Sequence, residues 1–179
     1  MKRIILLVCA FLTLAYLDVL LAQDVNFSGT WVLAKDKSTL TGRMWERLTS
    51  MTVVIAQSGS AVKIETKVEG EGGPGGGQGG GPGGRPGGMN SALEFTIGGE
   101  ASQTEGPRGG KVVVKGSWAE NHKDLVVDTD RTIEGNMGTM TMKVNDIYSL
   151  SADGATLTVN RKSETPRGTM ENKLVFAKQ

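Results

Sequence analysis

The chain is poor in the residues that staple, coordinate or attack. Its 179 residues include one cysteine, one histidine and five prolines, and aromatic side chains make up 5% of it. Cys9 lies in an apolar stretch near the N-terminus, so the remainder carries no thiol and can form no disulfide. His122 stands alone in the charged run Glu120-Asn121-His122-Lys123-Asp124, without the second histidine or cysteine that a zinc site or Cys/His catalysis needs. No serine sits in a nucleophile-elbow context. These absences predict a protein that is not an enzyme and holds neither cofactor nor metal.

A surplus of charge is missing as well. The 20 basic and 19 acidic residues become 18 and 18 once Lys2, Arg3 and Asp18 are set aside with the leader described next. A chain of zero net charge has no field to draw in nucleic acid or an anionic membrane surface.

What is present begins with a leader. Met1-Lys2-Arg3 precedes an apolar run from Ile4 to Leu17, then Asp18 and Val19-Leu20-Leu21-Ala22. A basic start, a short apolar core and a small final residue make residues 1–22 a signal peptide, with cleavage expected after Ala22. The run falls short of the roughly 20 apolar residues that span a bilayer, so no stable membrane insertion is expected after cleavage. The product, residues 23–179, is one domain's worth of chain, exported to a periplasmic or extracellular space.

Glycine is plentiful but concentrated. Of the 26 glycines, 13 lie within residues 70–88, with Pro74, Pro82 and Pro86 among them. Such a segment has little to bury and is expected to be a disordered loop. It is no phosphate cradle, because no Lys-Ser/Thr follows it.

Outside that loop the hydrophobic period is two. Val62, Ile64, Thr66 and Val68 share one face while Lys63, Glu65, Lys67 and Glu69 share the other, as in a strand with one wet side. Similar runs cover 28–33, 51–56, 93–97, 100–105, 111–119, 125–134, 139–150, 155–162 and 169–177, punctuated by glycine-bearing turns. One short helix is expected near residues 41–48, where Met44 and Leu48 are four apart. Short loops force sequential antiparallel neighbours. An all-β, antiparallel up-and-down β-barrel of about 8–10 strands follows, because closing the sheet hides both its edges and its apolar face. A two-sheet sandwich is the alternative.

Phe27-Ser28-Gly29-Thr30-Trp31 at the head of this meander, with Arg161 on the penultimate strand, resembles the signature of the calycin superfamily, which includes lipocalins and fatty-acid-binding proteins. More narrowly, the chain resembles secreted bacterial lipocalin-like proteins of undefined activity. The resemblance implies that Gly29, Trp31 and Arg161 close one end of the barrel, with the arginine over the indole. It implies a lumen that takes a small apolar ligand. It departs from the fatty-acid-binding pattern in having room for one short helix between the first two strands. It also has Lys173-Leu174-Val175-Phe176 where that family carries an Arg-x-Tyr carboxylate grip.

The strand phases nominate the ligand contacts. Arg131, Asp146 and Tyr148 fall on inward faces and form a candidate polar anchor, since an inward arginine demands a partner. Phe95, Trp118, Met140 and Met142 are the apolar candidates. Clustered thioethers can hold Cu(I), but methionines at strand spacing read more simply as core filler. The functional expectation is a secreted carrier of a small hydrophobic molecule. The alternative is a filled barrel that acts as a protein-interaction or inhibitor module, with Phe95, Trp118, Met140, Met142, Leu157 and Phe176 packed in its interior and an apolar patch outside.

Overall fold

The computed structural model describes residues 25–70, 91–106, 110–135 and 138–179. The Gly-rich segment therefore falls almost wholly outside the described residues, as does the leader. Ten strands follow one another: β1 (Gly29–Leu33), β2 (Leu48–Ser58), β3 (Ala61–Gly70), β4 (Ser91–Thr96), β5 (Ser102–Glu105), β6 (Lys111–Trp118), β7 (Leu125–Gly135), β8 (Gly138–Leu150), β9 (Thr156–Thr165) and β10 (Gly168–Lys178). A single 3-10 turn at Lys35–Lys37 and one short α-helix, α1 (Arg43–Glu46), lie between β1 and β2, the latter within the 41–48 window that the sequence marked.

The strands form one sheet in the order β4-β3-β2-β1-β10-β9-β8-β7-β6-β5, and every ladder is antiparallel. The first and last strands pair directly, Trp31 opposite Lys178 and Leu33 opposite Phe176. This single continuous sheet rules out the sandwich. The ends of the order, β4 and β5, approach each other without a ladder, so the barrel is nearly closed. At that seam the Gly98 N–H donates to the Gly116 carbonyl at 2.9 Å, and Ile97 bridges Gly116. Any Cβ on Gly116 would overlap the Phe95 ring, so glycine is what lets the seam's aromatic seat against β6.

The alternation read from the sequence is the alternation observed. Val62, Ile64 and Val68 are buried, as are Leu93 and Phe95, Val112 and Val114, Leu125 and Val127, and Leu157 and Val159. Together with Phe27, Trp31, Met51, Val53, Ile55, Leu174 and Phe176 they form one continuous apolar core inside the barrel. Burying this face supplies the hydrophobic driving force that a chain without disulfides must rely on.

Candidate functional site

One end of the barrel is a packed plug. Trp31 and Phe27 are fully buried, and the Phe27 ring stacks on Trp118 with centroids 6.2 Å apart. The Trp31 indole N–H donates to the Phe27 carbonyl at 3.0 Å. Gln57 clamps the same segment: its Oε1 accepts from the Phe27 N–H at 2.9 Å and its Nε2 donates to the Val25 carbonyl at 3.0 Å. Gly29 matters because a side chain there would press on the Lys178 stem and the indole.

The cation over Trp31 is not the expected one. The Lys178 ammonium lies 5.2 Å from the indole centroid, brought there by the direct β1–β10 pairing. Arg161 is engaged elsewhere: its Nε and one terminal nitrogen donate to the two carboxylate oxygens of Asp146, each at 2.7 Å. The register explains the choice, since Arg161 and Asp146 face each other directly across β8 and β9. A parallel pair of charge-assisted bonds at the next-door strand is stronger than a stacked contact with a neutral ring.

The same pairing revises the anchor expected around Arg131. Asp146 answers Arg161 and not Arg131. The Arg131 Nε is buried and has no hydrogen-bond partner among the described residues. Burial, and then the Arg161 charge, hold the Arg131 guanidinium below its usual range, while Asp146 and Tyr148 offset them in part. Arg161 is pushed the other way. Burial disfavours its charge most, but the Asp146 carboxylate outweighs that and raises it. Tyr148 is buried, and burial followed by the Asp146 charge raises its phenol well above the ordinary range, so it stays neutral. The group therefore holds two positive charges against one negative.

Cross-strand registers arrange the inner surface of β7–β10 in layers. Leu150 faces Leu157, and Leu157 faces Phe176, nearest the plug. Leu125, Tyr148, Val159 and Leu174 come next, then Val127, Asp146, Arg161 and Asn172. Thr129, Val144 and Ser163 follow, and beyond them Arg131 opposite Met142 and Ile133 opposite Met140. The result is an apolar floor, a polar belt and an apolar rim. Thr129, Asp146, Ser163 and Asn172 are the buried polar residues of the described structure, and all four lie in this belt. The opposite wall, β2–β4, presents Met51, Val53, Ile55, Val62, Ile64, Val68, Leu93 and Phe95. An amphipathic interior with its polar side on β7–β10 is the arrangement.

Asp146, Tyr148 and the unforeseen Arg161 all lie within electrostatic reach of Arg131, while the hydrogen bonds of Asp146 go to Arg161. Met140 and Met142 lie partly buried on the rim. Phe95 sits at the seam, its ring against Gly116, and Trp118 at the plug, stacked with Phe27. Sequence reading missed Asn172 and Ser163. Both carry the right phase: Asn172 lies between Met170 and Leu174 on one face of β10, and β9 runs three residues past the expected end at Lys162. Among the described residues no group of three or more His, Cys, Asp or Glu side chains gathers to hold a metal.

Ten antiparallel strands in chain order, with the first paired to the last and Trp31 plugging one end, make this an up-and-down β-barrel of calycin-like fold. Solved structures agree at the level of the fold. A REP1-NXSQ fatty acid transporter matches with a TM-score of 0.50 at 12% identity, over 85% of this chain and 95% of that one. A secretory abundant heat soluble protein from Ramazzottius varieornatus matches with a TM-score of 0.52 at 12% identity, over 85% and 94%. No protein-family model and no curated protein matches the chain.

Proposed function

We propose that the protein binds a small apolar molecule inside the barrel, with a head group that accepts hydrogen bonds from Arg131. The observation that carries this is the buried, unpartnered Arg131 Nε in a group with one surplus positive charge. A lone buried guanidinium nitrogen is costly unless something completes it. A ligand carboxylate or similar anionic oxygen would supply both the acceptor and the missing charge. The apolar wall of β2–β4 and the rim residues Ile133, Met140 and Met142 would receive the body of the molecule. The fold likeness to a fatty acid transporter agrees with this reading.

The reading is one of binding, not of catalysis. The leader pattern supports a reading in which the protein acts outside the cytoplasm, in a periplasmic or extracellular space. A protein-docking module would need an exposed apolar patch. Among the described residues Met170 is the one large hydrophobic side chain that is exposed, which favours the internal site. Native mass spectrometry of protein purified from its own host tests the proposal. A retained mass of a few hundred daltons, released on denaturation, is the expected result. A bare chain, or one that travels only with a protein partner, would speak for the docking module.

A further inference from the structure

Resting on that reading of the lumenal site, we propose that Asp146 is its specificity-determining residue. Its carboxylate fills the fork of Arg161 from within and so takes the place that a second anionic contact of the ligand would occupy.

Three observations carry this. First, the geometry is that of a captured carboxylate: both Asp146 oxygens accept from Arg161, at 2.7 Å each. A guanidinium's two parallel donors are the strongest anion grip a side chain can offer, and here that grip is spent internally. Second, the pair is sequestered, with the Asp146 side chain 4% and the Arg161 side chain 23% exposed. Water cannot readily substitute for either partner. Third, Arg131 is near enough to Arg161 for its charge to be disfavoured by it. Two free guanidinium groups within reach of each other's charge would hold a carboxylate more strongly than one. With Asp146 in place, one surplus positive charge remains. The residue thereby weakens discrimination between an anionic head group and a neutral one of similar size, and leaves Arg131 as the single contact.

The test compares dodecanoate with dodecanol, each displacing an apolar fluorophore from the purified full barrel. Wild-type protein should prefer the carboxylate by about tenfold or less, the yield of one added charged contact. Asp146→Asn keeps the side chain's shape, frees Arg161, and should widen that preference by a further tenfold or more. The double variant Asp146→Asn/Arg161→Met removes the fork with its occupant and should return the preference to the wild-type value.

An unchanged preference in Asp146→Asn, with both probes still bound by wild type, overturns the role of Asp146 and leaves the ligand reading standing. A widened preference in the double variant overturns it too, because Asp146 would then act without Arg161. Carboxylate binding that appears only in Asp146→Asn supports the role. Failure of both probes with every variant overturns the role and the ligand reading together. Should the single variant fold poorly, stabilisation of its melting transition by dodecanoate over dodecanol gives the same comparison.

Discussion

Trp31 is fully buried, its indole N–H is bonded to the Phe27 carbonyl, and its ring carries the Lys178 ammonium. Truncating it removes a large core side chain from a site with little room to collapse. Trp31→Ala should cost about 3–5 kcal/mol in chemical denaturation. A loss too small to resolve would mean that the plug does not hold the barrel. Tyr148 offers a spectroscopic check at the same scale, because it is the only tyrosine within residues 23–179. Its folded-state pKa is raised above that of an unfolded phenol, which is about 10. Below that value the phenol is neutral in both states and costs nothing. Above it the unfolded chain ionises while the folded one does not, so stability falls as pH rises. Tyrosinate absorbance of residues 23–179 should therefore appear together with unfolding. A smooth titration near pH 10 in folded protein would place Tyr148 in water.

The chain between β1 and β2 is tied down by β10. Thr39 and Lys173 exchange backbone hydrogen bonds at 2.8 and 2.9 Å, and the Ser38 hydroxyl accepts from the Val175 N–H at 3.0 Å. The Thr41 N–H donates to the Asn172 side chain, which is buried and faces Arg161 across β9 and β10. Asn172→Ala should free residues 39–47 first, seen as faster amide exchange there while β6–β9 keep their protection. Uniform loss of protection would show Asn172 to be a global strut instead. Much of this element-level structure was legible beforehand. The two-residue period gave the ten strands within a few residues, because one face is wet and the other is not. Which inward polar groups would pair was not legible. Arg131, Asp146 and Arg161 all carry the inward phase, but the choice of partner depends on register, and register was not in the pattern of alternation. The Lys178–Trp31 contact was hidden for the same reason. That Phe95 would sit at the seam and Trp118 at the plug was not legible either, because both carry the same apolar phase.

At the scale of the molecule, the barrel places an apolar floor, a polar belt and an apolar rim along β7–β10, opposite a largely apolar wall. At the edge of the belt, next to the rim, the Arg131 Nε has no hydrogen-bond partner among the described residues. Proteins keep such strained groups where function uses them, at a cost in stability. The most direct test is a paired melting experiment on Arg131→Met, without ligand and with a saturating apolar carboxylate. Methionine fills the space with an unbranched apolar chain and removes the uncompensated charge. The variant should be more stable than wild type without ligand, by about 1 kcal/mol, and should gain less from the carboxylate. A variant that is less stable without ligand, yet gains as much as wild type with it, would show Arg131 to be a structural residue and contradict the account.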